Sequence, residues 1–179
     1  KRMGRKTTPE DFKDLVASAR RAIPGVSITT DLIAGFPGES EEEFAESCAF
    51  IEQMQFAGGH VFTFSPRPGT AAARLPGQVA LKMRKERSAH LRQLLEQASA
   101  EYQARYLGQE QVVLWEGARP LENAAWQIAG LTGNNLRVHL QLDHAAARRL
   151  WNTLTPVRLV ELTSGGLRGE IDPTYLEQA

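Results

Sequence analysis

Residues 26–43, VSITTDLIAGFPGESEEE, constrain the fold more than any other stretch of this chain. Val26 to Ala34 is an apolar, β-branched run of the kind that fills a buried strand. Gly35-Phe36-Pro37-Gly38 then forms a tight turn. Ser40 followed by Glu43 is a capping box, in which a hydroxyl and a carboxylate satisfy two otherwise orphaned helix N–H groups. Glu41 and Glu42 suit the positive end of that helix. A strand that passes through glycines into a helix N-terminus puts its turn at the carboxyl end of a parallel sheet, where α/β proteins bind ligands. Gly35 and Gly38 permit close approach to the backbone, and Pro37 stiffens the turn between them. The same turn also serves as a plain βα connection. No Gly-Lys-Ser/Thr follows to make it a phosphate loop, so the ligand is open at this level.

The flanking segments complete a unit around this stretch. Thr8-Pro9-Glu10-Asp11 is a helix entry, and Phe12, Leu15, Val16, Ala19 and Ile23 follow at helical spacing until Pro24-Gly25 stops them. The Ser40-capped helix runs to about Gln55 with Phe44, Cys48 and Ile51 inward, and Gly58-Gly59 breaks it. His60–Ser65 reads as another strand, which makes a right-handed parallel βαβ unit. Directly after it comes Pro66-Arg67-Pro68-Gly69-Thr70, at the same rim as the Gly35–Gly38 turn. Arg67, held between prolines, is a candidate for a carboxylate or phosphate, against the plainer reading of a solvated surface arginine. Val79 to Tyr106 reads as a long helix with Val79, Met83, Leu91, Leu94, Leu95, Ala98, Tyr102 and Tyr106 on its apolar face. Lys82, Arg84, Lys85, Glu86 and Arg87 fill the other face, where a charge run is ordinarily solvated rather than bound to nucleic acid.

After Leu107-Gly108 the pattern changes. Gln111–Trp115, Trp126–Leu131, Leu136–Leu142, Pro156–Leu162 and Gly166–Ile171 read as five short strands, with Asp143–Asn152 as a helical turn among them. A small closed barrel is expected, with Trp115, Trp126 and Trp151 supplying its core. The fold class is therefore α/β followed by all-β, with divisions at 1–107 and 108–172 and a tail at 173–179.

Charge sets limits on partners. Before Leu107 there are 15 Lys and Arg against 13 Asp and Glu, and from there on 6 against 8, so neither part is a strongly basic nucleic-acid binder. Cys48 is the only cysteine and is expected to be buried as a small hydrophobe. One thiol holds neither a disulfide framework nor an iron–sulfur cluster, and His60, His90, His139 and His144 show no zinc spacing, so no metal site is expected. No apolar run approaches the roughly 20 residues that span a membrane, and no leader is evident, which points to the cytoplasm. Lys1-Arg2-Met3-Gly4-Arg5-Lys6 reads as the continuation of a longer polypeptide.

Residues 3–5 (MGR), 29–39 (TTDLIAGFPGE), 64–70 (FSPRPGT) and the Lys85-Glu86-Arg87 run resemble the radical S-adenosylmethionine methylthiotransferases. Gly130-Leu131-Thr132-Gly133-Asn134-Asn135-Leu136-Arg137-Val138 is similar to the signature of their RNA-binding TRAM barrel, an OB-like domain. The resemblance implies the C-terminal part of a partial (β/α) radical barrel, a connecting helix and a TRAM domain. It places S-adenosylmethionine beside Gly35, Phe36, Pro37, Gly38, Phe64, Ser65, Arg67 and Arg5, and tRNA on Arg137, Arg148 and Arg149. It also implies 4Fe-4S clusters, a reductant protein, and addition of a methylthio group to a hypermodified adenosine next to the anticodon. Within the family, PGVSITTDLIAGFPGES with HVFTFS looks most like the threonylcarbamoyladenosine enzyme, while the isopentenyladenosine and ribosomal-protein enzymes share much of the pattern. Two departures stand out: the family's cluster cysteines are absent, and Asn135 stands where the barrel signature usually has an aromatic. Without those cysteines this polypeptide alone is expected to be inactive, and a catalytically empty RNA-binding module is the alternative.

Overall fold

The capping chemistry at Thr8 is realised in full: its hydroxyl accepts from the Asp11 N–H, and the Asp11 carboxylate accepts from the Thr8 N–H. It opens α1 (Pro9–Ala22). In this computed structural model, which describes residues 2–122 and 125–178, α1 belongs to the first of two units, Lys1–Tyr102 and Gln103–Ala179. The elements that follow in this unit are β1 (Thr29–Ala34), α2 (Glu41–Met54), β2 (Gly58–Thr63), the single turn α3 (Ala71–Arg74) and α4 (Leu81–Ala104).

β1 and β2 pair in parallel from Thr29 opposite Gly58 to Ala34 opposite Thr63, so the expected βαβ unit is present. Its core gathers Val16, Ala34, Ile51, Met54, Phe56, Leu91 and Leu95, with Cys48 half-buried against them. Three local readings are corrected. The first strand begins at Thr29 rather than Val26, because its partner begins only at Gly58. Gly58 and Gly59 lie inside β2 rather than breaking α2, which ends on Gln55 in the left-handed conformation. Gly59 is required there by close strand approach: a Cβ would sit 2.2 Å from the Thr30 carbonyl oxygen. Finally, β1 is half covered. Asp31 and Ile33 on β1, with His60 and Phe62 on β2, face outward, since a two-stranded sheet has helices on one side only.

The second unit is a closed barrel with strand order β3-β4-β5-β7-β6. Its strands are β3 (Glu110–Pro120), β4 (Trp126–Thr132), β5 (Arg137–Leu142), β6 (Leu154–Thr163) and β7 (Gly166–Glu170). Helix α5 (His144–Leu150) joins β5 to β6, and α6 (Thr174–Gln178) follows β7. That order, with the parallel β5–β7 pair, is the OB arrangement. β3 runs on past Trp115, carried by a bulge between Trp115 and Gly117. The Asp143–Asn152 turn is α5, capped by the Asp143 carboxylate on the Ala146 N–H.

Of the tryptophans only Trp115 is a core residue, its indole N–H donating to the Thr155 hydroxyl at 2.6 Å. Trp126 is half-buried against His144, and Trp151 is 62% exposed. The core is instead aliphatic, built on Val113, Ile128, Val138, Leu140, Val157, Leu159 and Leu167. No helix of the described residues is long and apolar enough to cross a membrane.

Candidate functional site

The two sequence loops do meet. The Phe64 N–H donates to the Ala34 carbonyl at 2.9 Å, and the Phe64 ring stands edge-on to Phe36 with centroids 5.3 Å apart. The meeting follows from the parallel register, which brings both strands to an end at the same level.

What holds them is a pair of arginines from the basic run of α4, where charge by itself favours a solvated face. The buried stripe of α4 is Arg87, Ser88, Leu91, Leu95 and Tyr102, while Met83 is exposed. Arg84, one turn earlier, donates from Nε to the Val79 carbonyl and from Nη1 to the Phe64 carbonyl, each at 2.8 Å. Its guanidinium lies 5.9 Å from the Phe64 ring centre. Arg87 is 4% exposed and donates from Nη1 to the Glu39 carboxylate at 2.7 Å and from Nη2 to Glu41 at 2.6 Å. Burial opposes its charge, yet the bonds to Glu41 and Glu39 outweigh that and hold its pKa above the ordinary arginine value. The same Glu39 carboxylate accepts the Gly35 N–H at 2.8 Å. One buried ion pair therefore fixes the start of the turn, in which Pro37 is fully buried. Extending the Leu95–Leu91 stripe backwards by three and four residues lands on Ser88, Arg87 and Arg84, so periodicity was the signal that charge concealed.

The glycines of the turn serve this packing. Gly35 has φ +75°, and a Cβ there would come 2.2 Å from Cγ of Arg84. Gly38, at φ +80°, donates its N–H to the Gly77 carbonyl at 2.8 Å. The close approach expected for a ligand at Gly35 is thus taken up by a side chain of the protein itself.

The other candidate residues lie around this clamp. Ser65 and Arg67 are exposed, and Thr70 donates to the Arg67 carbonyl, which closes the loop and caps α3. Neither the Arg67 nor the Arg5 side chain takes part in any hydrogen bond or ion pair among the described residues. The N-terminal residue that reaches the turn is Arg2, paired with Glu43 and adjacent to Gly38. Glu43 is also the capping-box carboxylate of α2.

On the barrel, Arg137 is exposed on β5 and Arg148 and Arg149 are exposed on α5, where Arg149 donates to the Leu176 carbonyl at 3.1 Å. Asn135 adopts φ +62° in the β4–β5 turn, a left-handed conformation that asparagine tolerates and an aromatic side chain resists. Among the described residues no group of three or more His, Cys, Asp or Glu could hold a metal ion.

Comparison with known proteins gives a consistent result. No protein-family model matches the chain. It is 35% identical over 177 residues to a tRNA-2-methylthio-N(6)-dimethylallyladenosine synthase of Geobacillus thermodenitrificans, covering 99% of this chain and 33% of that protein. A synthase of the same name from Moorella thermoacetica is 38% identical over 94% of this chain and 37% of its own length. That of Thermobifida fusca is 38% identical over 86% of the chain and 31% of its own length. The chain is homologous to a part of the methylthiotransferases. It spans about a third of the length of the curated relatives it matches. The resemblance carried by the GFPGE and FSPRPGT loops thus agrees with whole-chain similarity to methylthiotransferases. An α/β part followed by a small OB-like barrel is the fold class that the resemblance implied.

Proposed function

We propose that this chain works as part of a tRNA methylthiotransferase, its first unit bordering the cofactor and its barrel binding tRNA. The observation that supports this most is similarity along 94–99% of the chain to relatives named tRNA-2-methylthio-N(6)-dimethylallyladenosine synthase. For the base acted on, those names favour the dimethylallyl (isopentenyl) adenosine over the threonylcarbamoyl one to which the motifs leaned. The residues present fit S-adenosylmethionine. Arg67 is an exposed, uncommitted cation for a carboxylate, and Ser65 is exposed next to the Phe36–Phe64 pair, which offers an aromatic surface. They do not fit a 4Fe-4S cluster, since Cys48 is the only cysteine. Any cluster would take its ligands, and its electrons from a reductant protein, outside this chain, and this polypeptide alone would be inactive. When bound, S-adenosylmethionine supplies the radical chemistry. The role of these residues is to hold it and keep the rim in one geometry through Arg84, Arg87 and Glu39.

The test is Arg67→Ala in the polypeptide that contains this chain, with tRNA nucleosides analysed by mass spectrometry and tRNA binding titrated alongside. A lost charge-assisted bond of about 1.5–3 kcal/mol lowers the modification rate by about one to two decades. Binding of tRNA should stay within about twofold. Unchanged modification would make the loop structural. A threonylcarbamoyl group on the modified nucleoside would restore the other substrate.

A further inference from the structure

We infer that the outer edge of β2, beside α4, accepts an extended segment of another polypeptide as an added parallel strand. Neither a cofactor nor RNA takes part, so the interaction is separate from the methylthiotransferase reading.

β2 has β1 as its strand neighbour on one side and none on the other among the described residues. The Phe64 N–H donates to the Ala34 carbonyl across that pairing, and the period of two turns the peptide groups of His60 and Phe62 the same way. The N–H and C=O groups of Gly59 and Val61 therefore point away from β1. Arg92 of α4 meets the Val61 carbonyl on that side, from Nη2 at 3.4 Å. The Gly59 and Val61 N–H groups find no acceptor among the described residues. An edge of this kind is a template for a further strand.

The order of elements makes room for that strand. Val16 of α1, Ile51 of α2 and Leu91 of α4 meet in one core, so all three helices cover the same face of the sheet. On that face a right-handed crossover carries the chain from β1 through α2 to β2 in a single direction. By the same rule a strand joined through α1 falls on the far side of β1, and a strand joined through α4 falls outside β2. The chain passes from α4 into the barrel strands instead, so β2 stays an edge with its crossover helix in place.

Between that edge and α4 lies a groove of about 410 Å³, lined by Gly59, Val61, Arg92, Leu95, Glu96 and Ser99 among others. α4 runs antiparallel to β2: the Thr63 and Ser88 hydroxyls share a hydrogen bond at 2.8 Å at one end, and a Gly58 Cβ would stand 3.9 Å from the Ser99 Oγ at the other. Gly58 and Gly59 keep side chains off the floor, Leu95 is a buried apolar wall, and Arg92 and Glu96 are exposed at the lip. Neither of these two forms an ion pair among the described residues. On the opposite face Phe62 is 52% and Ile33 44% exposed, an apolar strip that a β-branched neighbour would continue. The partner that fits is an extended segment with β-branched residues on one face. On its other face a basic residue meets Glu96, and an acidic one two positions later meets Arg92. Backbone bonds to the edge supply affinity, and the alternate side chains supply selectivity.

The experiment is residue-resolved amide hydrogen exchange on the full chain, with and without a short synthetic peptide. The peptide alternates valine with polar residues and carries a lysine two positions before a glutamate. At about ten times its dissociation constant it should slow exchange at Gly59 and Val61 by about tenfold, while His60 and Phe62, already bonded to β1, stay unchanged. N-methylation of one alternate set of peptide nitrogens should abolish the effect, and of the other set should spare it, because only one set faces the edge. Arg92→Glu should weaken binding several-fold, and a peptide with lysine in place of its glutamate should regain it. Val61→Pro removes an edge N–H without touching a bond to β1 and should end binding. Urea unfolding checks that variant, and Arg92→Glu carries the test if Val61→Pro does not fold. No slowing at about 1 mM peptide, equal slowing at all four amides, or indifference to N-methylation overturns the added strand. Slowing at Gly59 and Val61 that grows with protein concentration alone gives the edge to a second copy of the chain and overturns it too.

Discussion

Replacing Arg87 by methionine tests the clamp most directly. The substitution keeps an unbranched apolar stem in the α4 stripe and removes the guanidinium. Glu39 is then left with its side chain 13% exposed and no counter-charge. Breaking a buried pair in this way costs about 3–5 kcal/mol, most of it for the stranded charge. The Glu41 arm adds about 0–1 kcal/mol, because its side chain is 70% exposed. With a urea slope of about 1.5 kcal/mol/M for a unit of this size, the first unit's midpoint should fall by about 2–4 M. The two units can be read separately, since Trp115, Trp126 and Trp151 all lie in the barrel while α1, α2 and most of α4 belong to the first unit. Far-ultraviolet circular dichroism should therefore show the shift, and tryptophan fluorescence should show an unmoved midpoint. Adding Glu39→Gln to Arg87→Met should recover much of the loss, because no buried charge is then left unpaired while the Gly35 N–H keeps an acceptor. A dichroism shift below about 0.5 M, or no recovery in the double variant, would refute the reasoning.

In the barrel, Thr155→Val leaves the buried Trp115 N–H without its acceptor and should cost about 1–3 kcal/mol, read as a lower fluorescence midpoint. Residues 103–179 expressed alone should unfold in a single cooperative transition, since closure pairs every strand on both edges; a gradual change would contradict this. Burial, then the charges of Glu52 and Glu39, raise the Cys48 thiol pKa, so its alkylation near neutral pH should be slow in the native protein and much faster in urea. Equal rates in the two states would place Cys48 on a reactive surface.

The sequence by itself determined what depends on near neighbours. The caps at Thr8 and Ser40, the parallel βαβ order and the five barrel strands were legible, because each rests on residues within a turn or on a period of two or 3.6. Both loops could be read as one rim for the same reason: parallel strands joined by a helix must end side by side. Tertiary structure decided the partners. Arg87 finds Glu39 48 positions away, and although the helical period of α4 marks Arg87 as inward, nothing along the chain says which acid it meets there. Gly35 reads as room for a ligand until Arg84 is seen filling it, and Gly59 reads as a helix breaker until the Thr30 carbonyl is seen against it. Gly117, Ala129 and His139 are distant along the chain and fall into one row across three strands only because strand register and a bulge align them. Local chemistry fixes where elements start and stop, whereas burial of a charge or emptiness beside a glycine is a property of the atoms opposite, which only the folded chain supplies.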